Sequence, residues 1–221
     1  MQQDLWTAVD HYVSDLFIEP DDVLDAALAN SAAAQLPSIA VAPPQGKFLY
    51  LLASSIGAKR ILEIGTLGGY STIWLARALP PDGQLISLEF ESRHAHVAER
   101  NLQVAGVDDQ VSVRIGAAAD TLKQMIAEQT PAFDFIFIDA DKESYTLYLE
   151  LSLQLARSGT VMIADNTVRE GEVINPASED PRVHGVRHFH ELLAREKGVE
   201  ATTLQTVGSK GYDGFTMIRV R

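Results

Sequence analysis

Arg60-Ile61-Leu62-Glu63-Ile64-Gly65-Thr66-Leu67-Gly68-Gly69-Tyr70-Ser71 runs from an apolar, strand-length segment into a glycine turn, and Leu88-Glu89-Phe90 closes a second such segment downstream. A strand, a glycine turn, a helix and a carboxylate at the next strand end form the pattern of a nucleotide-type cofactor site. Glycines let backbone approach a ligand closely. Glu89, 24 residues after Gly65, is placed to accept hydrogen bonds from both hydroxyls of a ribose. The pattern points to an adenosine-containing cofactor.

Which cofactor follows from what the turn lacks. A dinucleotide turn needs G-x-G-x-x-G so that a pyrophosphate can sit on the helix N-terminus, but Leu67 and Tyr70 occupy the second and third glycine positions. Glu63, just before the turn, would repel a diphosphate and suits a ligand bearing an ammonium or sulfonium. S-adenosylmethionine is favoured over NAD. A glycine turn that binds nothing is the plainer alternative.

With 221 residues and 46% hydrophobic content, the chain can bury one large core, and a single domain over 1–221 is expected, with 1–40 as a helical extension. A net charge of -12 argues against nucleic acid or an anionic membrane as partner, because both need clustered Lys and Arg. A small molecule is the expected substrate. The sequence has no cysteine, which excludes disulfides and thiolate-ligated metals. Met1-Gln2-Gln3-Asp4-Leu5-Trp6 has no basic or apolar leader pattern, and no stretch approaches membrane-spanning length. A cytoplasmic location is the resulting expectation.

Residues 4–35 show helical periodicity in two pieces, broken at Glu19-Pro20-Asp21-Asp22, and Pro43-Pro44 open a further helix that ends near Gly57. From Arg60 the pattern alternates, with strands near 60–64, 84–90, 110–115, 133–139 and 158–164 and helices near 70–79, 92–105, 119–128 and 143–156. Such alternation predicts βαβ units and a mostly parallel sheet, with Phe135-Ile136-Phe137-Ile138 as a central strand buried on both faces. A last helix near 183–197 leads into strands 202–207 and 215–220. The short Gly208–Gly214 connection makes that pair antiparallel.

Ligands sit at the carboxyl ends of parallel strands, and two of those ends are acidic: Asp139-Ala140-Asp141-Lys142 and Asp165-Asn166. Asp139, Asp165 and Asn166 form a hard oxygen set suited to Mg²⁺, with Mn²⁺ or Ca²⁺ also compatible. The plainer alternative is that both aspartates cap the helices that follow. Lys142 lies within reach of a substrate oxygen, and a nearby dication would push it toward the neutral form that a general base needs. His184 and His188 have the i,i+4 spacing of a zinc pair but no H-E-x-x-H context, so an exposed polar face is expected there.

Together these residues resemble the cation-dependent O-methyltransferases of the catechol and caffeoyl-CoA type, a branch of the class I S-adenosylmethionine-dependent methyltransferases. The resemblance covers 36–221 and rests on Val41, Gln45-Gly46, Leu62–Thr66 with Gly69-Tyr70-Ser71, Glu89, Gly116-Ala117-Ala118, Phe137–Lys142 and Ala164–Thr167. It implies a Rossmann-like α/β fold with seven strands, the last antiparallel. It implies that Glu89 binds the ribose, that Glu63, Gly65, Thr66, Ser71 and Val41 surround the amino-acid end of the cofactor, and that Ala118 lies beside the adenine. Asp139, Asp165 and Asn166 become metal ligands, and Lys142 the proton acceptor.

The implied reaction is methyl transfer to one of two vicinal hydroxyls of a small phenolic acceptor. Asp213, in the loop between the last two strands, would either shape the turn or contact the second hydroxyl. The N-terminal helices are similar to those of caffeoyl-CoA-type members, which implies a homodimer. The segment Val168–Ile174 lacks the tryptophan usual in plant members. Two other functions stay open on sequence: an NAD-dependent oxidoreductase, and a non-catalytic scaffold that binds S-adenosylmethionine or metal.

Overall fold

The structure is a computed structural model that describes residues 2–221. It opens with α1 (Gln2–Phe17) and α2 (Asp22–Ala33). The break falls at the Pro-Asp signal because Asp21 caps α2, accepting from the amides of Val23 and Leu24 at 3.1 Å each. Helix α3 (Pro43–Ser55) begins on the proline pair, whose fixed φ suits a first turn.

The alternating region then follows as β1 (Arg60–Ile64), α4 (Tyr70–Ala76), β2 (Gln84–Glu89), α5 (Ser92–Ala105), β3 (Val111–Ile115), α6 (Ala118–Ala127), β4 (Phe133–Ile138), α7 (Tyr145–Gln154) and β5 (Ala156–Ala164). Helix α8 (Pro181–Arg195) precedes β6 (Val199–Gly208) and β7 (Gly211–Val220). Short 3-10 segments cover Lys142–Ser144 and Arg169–Ile174. The strands form one seven-stranded sheet in the order β3-β2-β1-β4-β5-β7-β6. Strands β1 to β5 are parallel, and β7 runs antiparallel to both β5 and β6. The expected seven strands with the last antiparallel are therefore present.

This order fixes where a ligand can sit. The chain leaves β1 toward β2 and β3, then returns to β4 and β5 on the other side. The reversal leaves a crevice between the carboxyl ends of β1 and β4, whose last residues, Ile64 and Ile138, pair directly.

Burial of both sheet faces follows from the apolar runs. Phe135 and Phe137 of β4 point into one core with Leu49, Ile73, Trp74 and Leu102, beneath α3, α4 and α5. Ile136 and Ile138 alternate into the opposite core with Leu122, Tyr145, Leu149 and Phe189, beneath α6, α7 and α8. Residues two apart share a face in a strand, so a run with no polar interruption needs cover on both sides. Among the described residues no helix is long and apolar enough to cross a membrane.

The terminal pair corrects one expectation. The ladder between β6 and β7 continues to Gly208↔Gly211, so the connection is the two-residue turn Ser209-Lys210. Asp213 lies inside β7 opposite Thr206, not in a loop. Gly214 can belong to a strand here because a Cβ at that position would strike the Leu204 carbonyl and the Val168 side chain.

Candidate active site

Five parallel strands deliver their carboxyl ends to one edge of the sheet, and most of the expected site residues stand there. Glu63 is the penultimate residue of β1, two before Gly65, Glu89 ends β2, Ala118 opens the helix after β3, and Asp139 and Asp165 follow β4 and β5. Helix α3 joins them from outside, because Gln45 Nε2 donates to Asp165 Oδ2 at 2.7 Å. Val41, buried just before α3, lies in the core beneath that helix.

The glycine loop is built for the protein itself before any ligand. Gly65 has φ +101, and a Cβ on it would run into the Asp139 carbonyl oxygen. Its missing side chain lets β1 and β4 turn outward side by side. Glu89 then holds the loop: one carboxylate oxygen accepts from the amides of Thr66 at 3.2 Å and Leu67 at 2.7 Å. The other oxygen accepts from Glu91 N at 2.9 Å and lies 3.4 Å from His94 Nδ1. Its carboxylate organises the glycine loop, a role that sequence spacing alone does not show.

Glu63 is fully buried and is the acceptor at the centre of a hydroxyl cluster. Ser71 Oγ donates to it at 2.6 Å, Thr72 Oγ1 at 2.5 Å and Ser87 Oγ at 2.6 Å, while Ser87 and the Thr66 hydroxyl share a 2.5 Å hydrogen bond. Burial pushes the Glu63 carboxyl up to about 7, against the lowering effect of the three hydroxyls, and the nearby charge of Asp139 adds to the rise. Near neutral pH this group is poised between its two forms. A cationic ligand would settle it as carboxylate.

Asp139, Asp165 and Lys142 make the second half. Lys142 is buried, and its Nζ donates to Asp139 Oδ1 at 2.9 Å and to Tyr145 Oη at 2.8 Å. Tyr145 in turn donates to the carbonyls of Ile138 at 3.1 Å and Asp165 at 2.9 Å, bridging β4 and β5. Burial works to lower the lysine pKa. The charge of Asp139 and the tyrosine oxygen outweigh it, and the net result is above the ordinary lysine value. The neutral lysine is expected beside a bound dication; beside Asp139 its neighbour is an opposite charge, and it is held as an ammonium.

Asp165 is 5% exposed, and burial first, then the Asp139 charge, push it up to about 7. The Asp139 charge therefore disfavours a second ionised carboxylate at Asp165, even with Lys142 present. Asn166 follows with φ +53, a left-handed backbone that asparagine tolerates better than most residues. Among the described residues no three His, Cys, Asp or Glu side chains converge as a metal cluster. The donor set is two carboxylates and an amide, which still fits a hard cation that completes its shell with water and substrate oxygens.

Asp213 does not face this pair. Its Oδ1 accepts from the amides of Val168 at 3.0 Å, Arg169 at 2.8 Å and Gly214 at 2.9 Å, and Oδ2 lies 3.5 Å from the Arg169 guanidinium. It clamps the strained segment after Asn166, where Arg169 and Glu170 also have positive φ. His184 and His188 are exposed on α8, as expected. Gln45, Thr72, Ser87 and Tyr145 were not assigned roles from sequence. Tyr145 alone had a local signal, three residues after Lys142 at the start of a helix.

Residues 18–220 match the O-methyltransferase family. A catechol O-methyltransferase of Niastella koreensis is 49% identical over 221 residues, covering 100% of both chains. One from Mycobacterium tuberculosis is 47% identical over 96% of this chain and 95% of its own. Among solved structures, the O-methyltransferase from Bacillus cereus in complex with SAH is 56% identical, with a TM-score of 0.98 over 99% of this chain and 100% of that one. With a glycine loop, a strand-end glutamate and a β4–β5 acidic pair set on a sheet of this order, the chain belongs to the O-methyltransferase family of class I S-adenosylmethionine-dependent methyltransferases.

Proposed function

We propose that this O-methyltransferase transfers the methyl group of S-adenosylmethionine to one of two vicinal hydroxyls on a small phenolic, catechol-like acceptor, with a divalent cation, Mg²⁺ first, held by Asp139, Asp165 and Asn166. The observation that carries the reading is the placement of buried Asp165 beside Asp139 at the carboxyl ends of β5 and β4, where Lys142 pairs with Asp139 at 2.9 Å and the Asp139 charge still raises Asp165, at a sheet edge shared with the glycine loop. A cation bound there supplies positive charge that lowers the pKa of an acceptor hydroxyl and takes up the Asp139 charge now holding the Lys142 proton.

The residues of the chain divide the remaining work. Glu63, Ser71, Thr66 and Gly65 form the wall for the charged amino-acid end of the cofactor, Glu89 faces the ribose and Ala118 the adenine. The carbon–sulfur bond of the sulfonium would break as the carbon–oxygen bond forms, and the hydroxyl proton would pass to Lys142 once that ammonium has released its own proton to solvent. Tyr145 fixes the lysine head and Gln45 fixes Asp165, so positioning and charge supply most of the rate. A homodimer is part of this reading. It is supported by Leu5, Val9, Tyr12 and Leu16 on α1, which recur at helical spacing and are each at least half exposed.

The test is turnover of catechol with S-adenosylmethionine, before and after exhaustive chelation. Activity should vanish with the chelator and return with Mg²⁺, and Asp165→Ala should abolish it while leaving cofactor affinity nearly intact. Full activity after chelation would return Asp139, Asp165 and Asn166 to structural roles. Absence of methyl transfer with tight cofactor binding would favour the scaffold function.

A further inference from the structure

Leu67 is a non-glycine residue with φ +50 in the middle of the glycine loop, a conformation that persists only where its surroundings enforce it. On one side the enforcement is the Glu89 carboxylate on the Leu67 amide, 2.7 Å away. On the other side the Gly68–Gly69 peptide is gripped by α5. Asn101, 2% exposed, donates from Nδ2 to the Gly68 carbonyl at 2.8 Å and to the Ala27 carbonyl of α2 at 3.3 Å. Its Oδ1 accepts from Asn30 Nδ2 of α2 at 2.8 Å.

The N-terminal extension therefore touches the cofactor loop directly. A Cβ on Gly68 would collide with the Ser31 hydroxyl of α2, and a Cβ on Gly69 would press on Ala98, one turn before Asn101. Gly68 thus owes its small size to α2, while α2 and the loop share one buried amide. Removing that amide leaves the buried Gly68 carbonyl without its partner, whereas the Ala27 carbonyl keeps the Ser31 hydroxyl at 2.7 Å.

We propose that Asn101 is a positioning residue for the cofactor: with Asn30 it locks α2 against Gly68 and holds the Gly68–Gly69 peptide in the geometry that binds S-adenosylmethionine. This rests on the glycine loop being the cofactor site. Helix α2 is then a working wall of that site.

The experiment measures calorimetric affinity for S-adenosylhomocysteine, and KM and kcat with S-adenosylmethionine and catechol, in wild type, Asn101→Ala, Asn101→Asp and Asn30→Ala. Asn101→Ala should weaken cofactor affinity about tenfold or more, the consequence of one unsatisfied buried acceptor, and raise KM for the cofactor in step. The acceptor KM and kcat should stay within about threefold. Asn101→Asp keeps the shape and the acceptor for Asn30 but cannot donate to Gly68, so it should lose as much as alanine. Asn30→Ala, an exposed position where folding is not at stake, should show a smaller loss of the same kind. Unchanged cofactor affinity in folded Asn101→Ala or in Asn30→Ala overturns the proposal, as does wild-type affinity in Asn101→Asp. If wild type itself binds no cofactor, the reading of the loop fails instead.

Discussion

Replacing Glu63 by Gln should change how stability depends on pH, and the size of the change can be worked from the structure. Glu63 ordinarily titrates at 4.5 and is pushed up to about 7 here, chiefly by burial. A rise of that size corresponds to about 3 kcal/mol of preference for the protonated form in the folded state. The folded chain then binds a proton that the unfolded chain has released, so this stability is fully present below about pH 4.5 and is lost as pH rises to about 7. The slope in that window is about 1.4 kcal/mol per pH unit. Glutamine stays neutral, and the hydroxyls of Ser71, Thr72 and Ser87 can rotate to donate or accept. Urea unfolding of both proteins in parallel from pH 4.5 to 8 should therefore give a difference curve that falls by about 3 kcal/mol and flattens above pH 7. Other titrating groups, Asp165 among them, cancel in the difference. A flat difference curve would refute the reasoning. The same poise predicts that a cofactor bearing an ammonium binds more tightly as pH rises toward 7, with release of about one proton.

At Glu89, both carboxylate oxygens accept from backbone amides. Glu89→Gln must turn its NH₂ toward one of them and should cost about 1–3 kcal/mol, measured by unfolding and accompanied by weaker S-adenosylhomocysteine binding in calorimetry; wild-type values in both would remove Glu89 from the site. Lys142→Ala should lower kcat about 10²–10⁴-fold, and Lys142→Arg should not restore it because arginine keeps its proton; a near-wild-type rate in either variant would show that Lys142 only holds Asp139 and Tyr145 in place. Asp213→Asn keeps an oxygen for the amides of Val168 and Arg169, so the ratio of the two monomethylated catechol products should match wild type, whereas Asp213→Ala should shift it by loosening the segment after Asn166. Product analysis in which Asn, not Ala, changes the ratio would mean that the charge itself contacts the acceptor.

The architecture was legible wherever burial writes a pattern into the sequence. β4 could be read as a central strand because Phe135–Ile138 has no polar interruption, and its neighbours β1 and β5 do bury both faces. The β6–β7 pair extends further than its composition predicts. Gly208, Ser209, Gly211, Asp213 and Gly214 have turn-forming composition, but all of them except Ser209 are paired across the β6–β7 hairpin, beyond the stretch of β7 that lies against β5. Local propensity does not encode which strand will lie alongside.

The candidate site divides the same way. Residues that sit at strand ends could be found by counting along the chain, which is how Glu63, Glu89, Asp139 and Asp165 were reached. Residues that arrive from elsewhere could not: Gln45 reaches Asp165 across 120 positions of sequence, and Asn101 reaches Gly68 across 33. What those contacts add concerns mechanism. Gly65 leans on the Asp139 carbonyl because β1 and β4 are neighbours, and the Asp139 side chain holds Lys142. In the proposed function the same residue would border the cofactor with its backbone and the acceptor with its carboxylate. A methyl donor bound against the first and an acceptor oriented by the second would meet across one residue, as the proposed in-line transfer requires of this strand order.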